Sequence, residues 1–142
     1  MPDVEAVKDW IRFARMDLSA AAFLQGHNPL PTEIICYHCQ QAADKAIKAV
    51  LVRYDADVPH IHDLNKLLAA TKQYENSMQR LSQQANWLTN YATFTRYPSD
   101  IEIGETDMKI ALKNAEEILD QVEFLLSGVL EDNNCGQNYG SG

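Results

Sequence analysis

Cys36 and Cys39 stand one C-x-x-C apart in the stretch TEIICYHCQQAADKAIKAVL, and His60 and His62 follow in VPHIHD. Two thiols and two imidazoles are a donor set for structural zinc, and C-x-x-C alone is also the spacing of a redox pair. Both chemistries call for thiolates freed at a turn or a helix start, and neither Gly nor Pro adjoins these cysteines. The H-x-H spacing is tighter than the usual zinc pattern. A helix of about 20 residues would also hold the histidines roughly 30 Å from the thiols by its rise. The four residues therefore read as two small thiols inside a helix and two loop histidines, with no metal expected. Three cysteines, an odd number, argue against a disulfide framework.

The same helix carries a second pattern. His38, Gln41, Lys45 and Lys48 fall at i, i+3, i+7 and i+10, opposite the apolar Ile35, Ala42, Ala46 and Ala49. One reading of this stripe is a solvated face with an Asp44–Lys48 ion pair. The other is a surface that meets anionic phosphates or a partner subunit. A third group lies in NYATFTRYPSD, where Tyr91, Phe94, Arg96 and Tyr97 gather at a helix end. An arginine among aromatic rings can clamp a phosphate and stack a base. Equally, the rings can plug the end of a bundle while Arg96 pairs with Asp100. Asp63, directly after His62, reads as a first-turn cap. G-x-S-x-G, P-loop, G-x-G-x-x-G and H-E-x-x-H patterns are absent, as is the E-x-x-H pair of a di-iron bundle.

Helices must position these groups. Val4, Val7, Ile11, Ala14, Leu18 and Ala21 recur in steps of three and four, which predicts a helix over 3–25, stopped by Gly26, Pro29 and Pro31. Thr32 as N-cap and Glu33 in the first turn open a second helix that runs to about residue 54. A shorter third helix follows over 63–74, with Leu64, Leu67 and Leu68 on one side. Asn76 and Ser77 restart the chain into a fourth, with Leu81, Ala85, Leu88 and Ala92 spaced for burial. Thr106 is expected to cap the last helix, 107–127, through the stripe Met108, Ala111, Ala115, Ile118, Val122, Leu125 and Val129. The result is an all-α, up-and-down antiparallel bundle of four to five helices over 1–128, with 129–142 as a mobile polar tail.

At 142 residues and 46% apolar, the chain is sized for one domain. No apolar run is long enough to span a membrane and the N-terminus lacks a signal-peptide pattern, so a cytoplasmic protein with reduced thiols is expected. The net charge of -8 is uneven. Residues 1–98 carry ten acids against ten Lys/Arg, and residues 99–142 ten acids against Lys109 and Lys113. Non-specific duplex binding is thereby disfavoured, while a local basic patch in the first two thirds stays open.

The runs ARMDLSAAAFL (14–24), CYHCQQAADKAIKAVL (36–51), HDLNKLL (62–68), LTNYATFTRYP (88–98) and DMKIALKNAEEIL (107–119) together resemble the HEPN domain family, over residues 5–126. The resemblance implies a prokaryotic helical bundle, usually a homodimer, fused to or encoded beside a minimal nucleotidyltransferase in a toxin–antitoxin-like pair. It implies binding of an ATP- or GTP-like nucleotide or of RNA, with no cofactor. Many members also cleave RNA without metal, using an Arg followed after about four to six residues by His. Arg96 matches that arginine, but Ile101, Glu102 and Ile103 stand where the histidine would fall. The proton-transfer role is then empty.

The implied nucleotide site is Gln41, Lys45, Lys48, His62, Arg96 and Tyr97. Lys45, Lys48 and Arg96 would meet phosphates, Tyr97 would stack on base or ribose, and Gln41 and His62 would shape the pocket. Two alternatives remain. One is a ribonuclease using Arg53 with His60, or Arg96 with His62 across a dimer. The other is a pure interaction module whose helix-two stripe is a dimer seam.

Overall fold

The computed structural model describes residues 3–91 and 103–131. Among the described residues five α-helices make the bundle, with no strand: α1 (Val4–Leu24), α2 (Thr32–Arg53), α3 (Leu64–Thr71), α4 (Ser82–Thr89) and α5 (Glu105–Leu125). Residues 127–131, partly assigned to the tail from sequence, are helical too. A 3-10 turn, Asn76–Leu81, leads into α4 where a single fourth helix was expected. Ala92 lies outside the described residues, as do 132–142, which make up most of the expected tail.

Central to the bundle is α2, which packs against α1, α3, α4 and α5. Its alanines explain how. Ala42, Ala43, Ala46 and Ala49 are fully buried, and facing Ala14 and Ala21 of α1 are equally closed off. Small side chains let helix backbones approach closely, while Ile35, Ile47, Val50 and Leu51 fill the wider gaps. From the other helices Leu64, Leu67, Leu88, Met108, Ile118 and Leu119 complete one core. On α5 the buried stripe ends at Leu126, whereas Leu125 is only half-buried.

Several helix ends depart from their sequence signals. Asp3 caps α1 as an acidic N-cap should, accepting from Ala6 N at 3.0 Å. Asp63 does the same for α3, accepting from the N–H groups of Asn65 and Lys66. Thr32, however, is not the cap of α2. Pro31 occupies that position without a side-chain bond, and the Thr32 hydroxyl donates to the Ile103 carbonyl at 2.8 Å. This bond ties the start of α2 to the chain entering α5. Nor does Thr106 cap α5. Gly104 is its N-cap, and Asp107 reaches back to accept from Gly104 N at 3.0 Å.

The end of α2 sets the path of the next segment. Asp55 adopts φ 56°, the left-handed conformation that Asp tolerates better than most residues. Ala56 N then bonds Leu51 O and Asp55 N bonds Val52 O, both at 3.0 Å. These are the paired bonds of a Schellman motif, which satisfies the last carbonyls and reverses the chain. Residues 57–63 therefore return along α2.

Candidate functional site

That return corrects, for His62, the helix-length separation from the thiols Cys36 and Cys39 expected from the sequence. His62 does not sit a helix length away. Its carbonyl accepts from Gln40 Nε2 at 2.8 Å, and its Nδ1 lies 3.0 Å from Asp44 Oδ2. The other Asp44 oxygen holds Lys48 Nζ at 2.7 Å. Gln40 is fully buried and accepts in turn from Gln41 Nε2 at 2.8 Å.

A second, similar triplet sits one step along the helix. Asp17 of α1 holds Lys45 Nζ on one oxygen and faces His38 Nδ1 at 3.3 Å on the other. Two His–Asp–Lys groups thus line the seam where α1 and the 57–63 return meet α2. The stripe His38, Gln41, Lys45 and Lys48 is not a solvated face. Lys48 is 7% exposed and Asp44 2%, while His38, Gln41 and Lys45 are half-buried. The expected Asp44–Lys48 pair does form, but inside the protein, with Lys48 Nζ also 5.9 Å from the centre of the Trp10 ring.

This geometry alters what the two lysines can do. Each ammonium already faces a carboxylate, so the two triplets are electrically neutral when both imidazoles are neutral. Lys48 has almost no surface to offer and serves Asp44. Lys45 keeps 30% of its side chain exposed and can share its charge with a ligand. His62 is the most open member, with 59% of its side chain exposed above the buried Asp44. Arg96 and Tyr97 lie outside the described residues, as does Asp100.

Of the residues in this network, Asp17 and Gln40 were not singled out by sequence reasoning. Asp17 carried one signal: an Asp in mid-helix, within a run of Ala and Leu, is a poor helix former that needs a partner. Its partners are 21 and 28 residues away, so no local pattern names them.

The other sequence candidates sit elsewhere. Arg53 lies over the Tyr54 ring at 5.4 Å, and Tyr54 stacks on Tyr74. No hydrogen bond joins Arg53 to the exposed His60 among the described residues. Cys36 and Cys39 are free and fully buried, and no group of three or more potential ligands gathers to hold a metal among the described residues.

Burial, with smaller contributions from Asp107 and Glu33, pushes the Cys36 thiol up to about 12. Burial, then Cys36, pushes Cys39 up to about 12. Tyr91, hydrogen-bonded to Cys36, is raised as well, chiefly by burial. These thiols stay protonated at neutral pH and are poor nucleophiles. Neither should be alkylated by iodoacetamide in the native protein at about pH 8, near the ordinary thiol pKa; peptide mapping checks this. The unfolded thiols ionise first, from their ordinary value of 9.0. Stability from this source is therefore complete below about pH 9 and declines as the pH rises toward 12. Denaturant midpoints across that range read the decline.

Comparison with known proteins agrees with the bundle. No match was found among curated proteins. Among solved structures the chain is similar to TT1696 from Thermus thermophilus, with 29% identity over 82% of this chain and 95% of that one, at a TM-score of 0.69. It is also similar to ST0689, an archaeal HEPN homologue, with 26% identity over 84% of this chain and 97% of that one, at a TM-score of 0.66. The HEPN domain family matches residues 7–125. By the extent of that match and the fold it shares with these structures, the chain belongs to the HEPN domain family.

Proposed function

We propose that this HEPN domain works as a homodimeric nucleotide-binding subunit beside a minimal nucleotidyltransferase, in a two-component, toxin–antitoxin-like arrangement. One observation carries the binding reading: a run of polar side chains, Gln40, Asp44 and Lys48, is buried in a helix that could have been apolar. Burying such groups is often less stable than well-packed hydrophobes would be, and in this reading they are kept for the site they position. Here Gln40 and Asp44 hold His62 with most of its side chain open to solvent.

In this reading Lys45 and Arg96 meet phosphates, Tyr97 stacks on the base or ribose, and Gln41 and His62 shape the pocket. Lys48 acts through Asp44. A Lys45→Ala/Arg96→Ala variant should lose more than about tenfold in affinity for ATP or GTP, since charge-assisted bonds to phosphate are each worth about 1.5–3 kcal/mol. Retained affinity in calorimetry would remove both residues from the site.

A second reading, the helical interaction module without a small ligand, draws on a different surface. Phe13, Met16 and Phe23 stand on one side of α1 and are 44%, 56% and 83% exposed. A dimer seam there would bury them. Analytical ultracentrifugation of a Phe13→Ser/Phe23→Ser variant tests it: this reading expects monomers, and an unchanged mass would remove α1 from the interface.

A further inference from the structure

The Asp44–His62 contact settles more than the position of a ring. An ionised carboxylate has only lone pairs to offer, so the imidazole nitrogen facing it must carry the hydrogen. Asp44 is 2% exposed and bound through its other oxygen to Lys48, an arrangement that leaves it no hydrogen to donate. His62 Nδ1 is therefore the protonated nitrogen, and in a neutral ring Nε2 is left as an acceptor. The backbone is fixed independently, because Gln40 donates to the His62 carbonyl. With 59% of the side chain exposed, the Nε2 edge is the part of this network that a ligand can reach.

We propose that His62 contacts its ligand through the Nε2 lone pair, and so recognises a hydroxyl or amino hydrogen of a ribonucleotide and not its phosphates. The proposal rests on the nucleotide reading given above and narrows it. A phosphate oxygen brings only lone pairs to a nitrogen that already presents one, so the two meet only after the ring gains a proton. Ribose hydroxyls and the exocyclic amine of adenine or guanine carry the hydrogens that Nε2 can accept. Lys45, paired with Asp17 on the neighbouring triplet, is the cation this reading gives to the phosphates. Asp44 is then a positioning residue, setting the tautomer and orientation of the ring it touches.

Calorimetry at about pH 8, where an ordinary imidazole is neutral, tests this with ATP, GTP, their 2′-deoxy and 3′-deoxy forms, ITP and inorganic tripolyphosphate. The wild-type protein should bind one of the analogues about 2–10-fold more weakly than its parent nucleotide, the range expected for one neutral hydrogen bond. Loss with a deoxy form identifies a ribose hydroxyl, and loss with ITP in place of ATP identifies the base amine. In His62→Ala that discrimination should vanish while tripolyphosphate affinity stays unchanged. Circular dichroism should show the variant folded, since the Gln40 bond to the backbone survives the substitution. Equal affinity of the wild-type protein for every analogue would overturn the proposal and leave the nucleotide reading standing, as would a loss of tripolyphosphate binding in His62→Ala. No saturable binding of ATP or GTP would overturn both.

Discussion

Replacing Lys48 with Ala is expected to lower the unfolding free energy by about 3–5 kcal/mol, because it strands a buried carboxylate without its cation. Asp44 is 2% exposed and cannot recover hydration by a small movement. His62 remains against its second oxygen at 3.0 Å, so one hydrogen-bond partner of the carboxylate survives the substitution. The companion variant Asp44→Leu/Lys48→Met removes both charges. It should be less destabilised than Lys48→Ala, since a buried ion pair exchanged for apolar side chains of similar volume is often neutral. Urea midpoints for Asp44→Leu, Lys48→Met and the double variant give the coupling directly. A loss below about 1 kcal/mol in Lys48→Ala would mean that solvent reaches the pair, as it does on an ordinary surface.

Ile47→Ala should produce a loss of about 2–5 kcal/mol, the range for deleting a large aliphatic side chain inside a sealed core. Ile47 is fully buried on the helix that touches every other helix of the bundle, and neighbours held on several sides cannot easily collapse into the space. Ile34 supplies the internal control. It lies on the same helix but is 45% exposed, and Ile34→Ala should cost less than about 1 kcal/mol. Equal losses at the two positions would contradict the assignment of α2 as the central helix.

The bundle itself was legible because helix-period signals are local. Of the stripe expected on α1, Val7, Ile11, Ala14, Leu18 and Ala21 are its buried residues, whereas Val4 in the first turn is exposed. Leu64, Leu67 and Leu68 likewise bury as expected. Caps were less legible, for a physical reason. Thr32 and Thr106 both carry the right side chain for an N-cap, but Thr32 directs its hydroxyl to Ile103, a partner 71 residues away, and Asp107 makes the capping bond to Gly104. At the start of α2 a tertiary contact displaces the local one, and at the start of α5 a different local residue takes the role.

The candidate site follows the same division. The polar stripe of α2 was visible from spacing, and so was the Asp44–Lys48 pair, an i, i+4 contact. Its burial was not visible, since this depends on α1 and the 57–63 return closing over it. The return depends on Asp55 in the left-handed region, a conformation the sequence VRYDAD does not announce as Gly would. Once the chain reverses there, His62 comes back to Asp44 across 18 positions, and a helical rise counted to the far end of α2 no longer gives its distance from the thiols.

The most direct test of the account is calorimetric titration of the purified protein with ATP, with GTP and with a short single-stranded RNA, at low and moderate salt, its oligomeric state checked alongside. A nucleotide-binding HEPN dimer predicts saturable heat for one of these ligands, at about one site per subunit or per dimer, weakening with salt as phosphate contacts are screened. A folded dimer that gives no heat with any of them would contradict it, and would leave the buried network of α2 with a structural role alone.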